Sequence, residues 1–140
     1  MLKLIRKRKE KGEKGQALVE FALLVPIFLI LLFAIVDFGM GFYSWITVTN
    51  SAREGARIGA VLANDQQIRD RVFDSAGLPN EGTNMEVIIT NSAEQGGLPG
   101  QSVVVQVDYD YNLITPLANL LGGIIGPTLT LSSTAEMRLE

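Results

Sequence analysis

The groups through which this chain could do chemistry are its carboxylates, because its 140 residues include no Cys and no His. Disulfides, thiolate nucleophiles, zinc-type ligation and imidazole general bases are thereby excluded. Asp108 and Asp110 lie two apart in an alternating segment, so they share a strand face and could offer hard oxygens to Ca²⁺. They lack the ligand number and loop geometry of a calcium motif and read as solvated strand acids. Asp65, Asp70 and Asp74 read as solvent-facing helix charges, with Asp65–Arg69 and Arg71–Asp74 at spacings that form weak surface pairs. Neither Gly96-Gly97 nor Gly122-Gly123 is followed by a phosphate-binding lysine motif, and no nucleophile has a base beside it. The expectation is a chain that is no enzyme and takes no metal, no cofactor and no small-molecule substrate. One carboxylate is out of place. Glu20 stands at the start of an apolar run, where a membrane helix carries a charge only at a cost.

The elements around Glu20 define its setting. The first fifteen residues hold Lys3, Arg6, Lys7, Arg8, Lys9, Lys11 and Lys14 against Glu10 and Glu13, about +5 by side-chain count. From Gln16 onward five arginines oppose thirteen acids, about −8, and no lysine recurs. An acidic remainder argues against nucleic acid as a partner. Phe21 to Val36 carries no charge; with Gln16 to Glu20 it makes about twenty residues, roughly 30 Å of helix, enough to cross a bilayer. The basic segment before it predicts an N-terminus in the cytoplasm and a C-terminal domain outside. Pro26 leaves the Ala22 carbonyl without its helical donor and predicts a local kink.

No proline interrupts the stretch from Phe38 to Asn64, so the helix is expected to continue beyond the span. Ala52, Gly55, Ala56, Gly59, Ala60 and Ala63 recur at three–four spacing and line one helix face. Small side chains let another backbone approach closely, and packing on the protein's own sheet is the favoured use of the distal part. Glu54 and Arg57 lie off that stripe and can pair at i,i+3. Further on, Asp65 to Ala76 is a short amphipathic helix stopped by Gly77-Leu78-Pro79, and Met85 to Asn91 is strand-like. The segment SAEQGGLPG is a loop. Val103 to Asn112 and Thr128 to Glu140 alternate cleanly, with a short helix expected from Pro116 to Gly122-Gly123 between them. One-sided alternation implies an antiparallel sheet covered on one face, with the long helix as its cover. The predicted fold class is α+β: a long N-terminal transmembrane helix packed on a small antiparallel sheet of about three strands. The predicted divisions are a basic leader (1–15), a transmembrane and extended helix (16–63) and an extracytoplasmic α+β domain (64–140).

Three readings of the N-terminus compete. The first is a cleaved secretory signal, for which Gly39-Met40-Gly41 has small residues at suitable spacing. The second is a permanent single-span anchor whose outer domain binds an envelope partner. The third rests on Gly15-Gln16-Ala17-Leu18-Val19-Glu20-Phe21, which resembles the processing site of type IV prepilins: a basic leader, a glycine, four residues, a glutamate, then a long apolar helix. That resemblance implies cleavage after Gly15 by a prepilin peptidase, Gln16 as the new N-terminus and Glu20 as the fifth mature residue. Phe21 matches the aromatic found there in tight-adherence (Flp) pilins. It further implies that Glu20 meets the free amine of a neighbouring subunit, against the alternative that Glu20 snorkels at the membrane interface.

With SAREGARIGA after that helix, the chain resembles the TadE-like proteins of tight-adherence pilus systems. VVVQVDYDYNLITPL and the ending TLSSTAEMRLE also resemble the family's pattern. The resemblance implies a pseudopilin: pilin-like, processed, and needed for assembly of an adhesive pilus without being its bulk subunit. The implied partners are the inner membrane, a prepilin peptidase, and other pilins and pilus-assembly proteins.

Overall fold

The computed structural model describes the backbone of residues 2–120, 124 and 126–140, and side chains from residue 15 onward within those ranges. Its main element is one helix, α1 (Leu2–Ala60), which runs unbroken through Pro26. Gly15–Ala60 is long and apolar enough to cross a membrane, and its most apolar stretch is bare of any covering element. The α1 helix ends at Ala60, short of Ala63. The chain turns through Val61 and Leu62, whose φ of 61° lies in the left-handed region, so Ala63 sits outside the helix but still packs against the core.

Helix α2 (Asp65–Ala76) starts where a capping box closes. The Asn64 side chain accepts from the Gln67 N–H at 2.8 Å, and the Asn64 N–H donates to the Gln67 side chain at 3.1 Å. It ends at Gly77 in the left-handed conformation. A single-turn helix, α3 (Glu81–Asn84), leads into β1 (Met85–Thr90). Strand β2 (Ser102–Asn112), helix α4 (Leu117–Leu120) and strand β3 (Thr128–Arg138) complete the chain. Gly122 and Gly123, expected to close the helix after Pro116, lie outside the described residues.

The three strands form one antiparallel sheet in the order β1-β2-β3, with Val105 opposite both Ile89 and Ala135. The expected architecture is thus the one found, an α+β fold in which a long helix covers a three-stranded sheet. Alternation supplies the buried face: Val103, Val105, Val107, Tyr109 and Tyr111 turn towards α1 and α2. On α1 the covered positions begin at Asp37, one residue past the apolar run, and continue through Ser44, Val48, Ala52, Gly55, Ala56 and Gly59. Strand β2 runs alongside α1 in the opposite sense, from Val103 beside Gly59 to Tyr111 beside Gly41. Those separations agree: 18 helical residues at about 1.5 Å give about 27 Å, and 8 strand residues at about 3.3 Å give about 26 Å.

Candidate functional site

Gly15, Gln16, Glu20 and Phe21 all lie on the bare part of α1 and are exposed. The Gln16 amide donates to the Glu20 carboxylate at 3.1 Å, one helical turn away. Among the described residues a Cβ added at Gly15 would meet nothing within 4 Å. Glycine costs about 1 kcal/mol against alanine inside a helix, so the fold itself gains nothing from Gly15.

The small-residue stripe is used differently. Ala52 and Ala56 are fully buried beneath α2 and the sheet. A Cβ at Gly55 would fall 2.5 Å from Val72 Cγ2 and 3.2 Å from Val105 Cγ1. At Gly59 it would fall 3.2 Å from Ile68 Cδ1 and from both Val103 methyls. The two glycines therefore let α1 lie against α2 and β2 at backbone distance, and the distal stripe packs on this chain's own domain. Ala60 is half-buried, and its carbonyl accepts the Glu140 N–H at 3.0 Å.

The charges pair otherwise than their spacing in sequence suggests. Glu54 accepts from Arg57 at 2.9 Å, as expected, and also from Arg71 at 2.8 Å, which ties α1 to α2. Arg71 is thus drawn across to Glu54 instead of pairing with Asp74. Bonding to Arg57, and then to Arg71, holds the Glu54 carboxyl below its usual pKa. Asp65 pairs with the loop after β1, accepting from Ser92 Oγ and from Gln95 Nε2 at 2.9 Å. Arg69 turns away from Asp65 and donates to the Val87 carbonyl at 2.6 Å. On the outer sheet face, Asp110 accepts from Thr130 Oγ1 at 2.7 Å, and Asp108 accepts from Ser132 Oγ and from the Gln106 amide. These acids belong to a cross-strand ladder that also joins Asn112 to Thr128. Among the described residues no group of three or more acids is placed to hold a metal ion.

One residue has a role that its place in the sequence does not reveal. Asp37 reads only as the end of the apolar run, yet it is 6% exposed. Its Oδ1 accepts the N–H of Ile114 at 2.9 Å and of Thr115 at 3.2 Å, and its Oδ2 accepts the Thr115 hydroxyl. The Tyr111 hydroxyl donates to the Asp37 carbonyl at 3.4 Å. Burial, with Asp37 and Tyr109 adding to it, pushes the Tyr111 phenol above its usual pKa, so it stays a donor. The β2–β3 connection is thereby clamped to α1 at the end of the span. The only sequence signal is that Asp37 is the sole charge between Glu20 and Arg53.

No curated protein and no solved structure matches the chain. A family model does, and it covers the glycine–glutamate spacing, the span, the Asp37 anchor and the start of the small-residue stripe, while the sheet lies beyond it. The match is to the family described as TadE-like protein, and it covers residues 15–57, under a third of the chain.

Proposed function

We propose that this chain is a pseudopilin that serves assembly of a tight-adherence (Flp) type IV pilus, the role to which its TadE-like segment points. A prepilin peptidase cuts after Gly15. The α1 helix holds the protein in the inner membrane as a single span, with the N-terminus in the cytoplasm and the α+β domain outside. Its work is structural: the bare part of α1 leaves the membrane sideways and enters a bundle with other pilins. There Glu20 pairs with the amine of a neighbour's first residue, which fixes the axial register, because a shifted subunit leaves both charges unpaired.

The observation that carries this reading is that nothing among the described residues uses Gly15 or Glu20. Among the described residues Gly15 makes no close approach that glycine alone permits, and the carboxylate of Glu20 accepts from the amide of Gln16 and from no other described side chain. A glycine and an acid that the fold does not use are accounted for by readers outside the chain, a peptidase and a neighbouring helix. The clamp at Asp37 argues against signal-peptidase release, since a cut after Gly41 would remove the residue that anchors Ile114 and Thr115.

The test is Glu20→Gln, followed by crosslinking to pilin partners and N-terminal sequencing. An unpaired amine in an apolar bundle costs roughly a few kcal/mol per contact, so crosslinking and piliation should fail while cleavage and insertion persist. Normal crosslinking and piliation in a correctly processed mutant would leave Glu20 as an interfacial acid and remove the pairing.

A further inference from the structure

We propose that the β2–β3 connection, through its described residues 113–120 and 124, is a second membrane contact: its apolar residues sit in the leaflet nearest the domain, and acyl chains fill the groove between it and α1. The inference rests on α1 being a membrane span.

Three independent observations converge. The first is position. About 30 Å of hydrocarbon at 1.5 Å per residue ends near Ile35 when counted from Gln16 and near Met40 when counted from Phe21, the first uncharged residue after Glu20. Asp37 lies between those two levels, and it holds Ile114 and Thr115 beside it. The connection is therefore level with the edge of the bilayer, at the end of the domain opposite Ala60.

The second is surface character. Ile114 is 62% exposed, Leu120 54% and Ile124 87%, a cost in water with no return within the chain. On α1 at the same end, Phe38, Phe42, Tyr43 and Trp45 are exposed as well, the aromatic belt expected where a helix leaves the hydrocarbon. This apolar surface is continuous with the bare span below it.

The third is the groove. A cavity of about 340 Å³ opens between the two segments, lined by Phe38, Phe42, Trp45, Leu113, Leu117 and Leu129. Its lining is almost wholly apolar, the chemistry of an acyl chain. Asp37 also lines it, but the carboxylate is already satisfied by the loop's N–H groups and hydroxyl, so it can lie at this depth without facing lipid as a bare charge. The clamp thus hides the one charge at the bilayer edge and sets the loop at the height of the headgroups.

The chain has no cysteine and a single tryptophan, so site-directed probes are clean. The full chain is reconstituted in vesicles of phosphatidylcholine and phosphatidylglycerol. Nitroxides are placed singly at Phe28→Cys, Ile114→Cys, Ile124→Cys and Leu98→Cys, all exposed positions, Leu98 being an equally apolar site at the far end of the domain. Accessibility to oxygen and to a water-soluble nickel complex is then measured. Oxygen should dominate at Phe28, Ile114 and Ile124, and the nickel complex at Leu98. Brominated lipids should quench Trp45. If Phe28 is lipid-exposed while Ile114 and Ile124 are open to nickel, the loop stands in water and the inference fails. If both probes are excluded at Ile114 and Ile124, a protein covers them and the inference fails equally. If Phe28 itself is open to nickel, the span is at fault rather than the loop.

Discussion

Thr115 donates both its backbone N–H and its hydroxyl to the carboxylate of Asp37, a residue 78 positions earlier. This contact joins the membrane helix to the end of the sheet, and it satisfies a buried charge with the backbone and hydroxyl of the loop after β2. Charge-assisted hydrogen bonds contribute about 1.5–3 kcal/mol each. Asp37→Ala should therefore lower stability by about 2–4 kcal/mol and free the connection, read as a lower Tm in detergent and faster proteolysis between residues 113 and 127. A melting temperature and digestion pattern equal to the parent's would show that the clamp contributes nothing.

Gly55 offers a test in which two effects oppose each other. Alanine there gains up to about 1 kcal/mol of helix propensity. Its Cβ, however, falls 2.5 Å from Val72 Cγ2, and overpacking of this kind costs about 1–3 kcal/mol. The clash should win, so Gly55→Ala should lower Tm by a few degrees. In a Val72→Ala background, where the obstructing methyl is gone, the same change should be neutral or stabilising. Equal cost in both backgrounds would deny that close approach is the reason for glycine.

The triad of Glu54, Arg57 and Arg71 predicts a pH dependence of definite sign. Hydrogen bonds from Arg57 and then Arg71 hold the folded-state pKa of Glu54 below its unfolded value. The unfolded value is about 4.3, so the triad's contribution is complete above that pH and is lost as pH falls through the folded value. Melts of the parent and Glu54→Gln should differ at pH 7, and the gap should close in acid. A gap independent of pH would mean that the difference arises from packing instead.

Much of the fold was legible because it is written in short-range pattern. The apolar run, the amphipathic helix from Asp65 to Ala76 with its stop at Gly77 and the alternation of β2 and β3 each carry their own local signal, and the structure repeats them with shifts of a few residues at the ends. Tertiary pairing was not legible. Arg71 has Asp74 within reach along its own helix but turns to Glu54 because α2 packs across α1 there. Asp108 and Asp110 share a face in isolation, but the register of β3 sets a hydroxyl opposite each of them. Asp37 was the largest omission, since its partners lie 77 and 78 residues away and no local spacing points to them. At Gly15 and Glu20 the relation is inverted: the sequence marks both, and no tertiary contact among the described residues uses them.

That inversion makes the mature N-terminus the most direct test of the account. The membrane-bound protein is purified from cells in which the tight-adherence genes are expressed, and its intact mass and N-terminal sequence are determined. A chain that starts at Gln16 is predicted, and Gly15→Leu should abolish it by crowding the peptidase site while leaving the domain folded, since among the described residues a Cβ at Gly15 would meet nothing within 4 Å. A chain that starts at Met1, or at Phe42 after a cut behind Gly41, would contradict the pseudopilin reading.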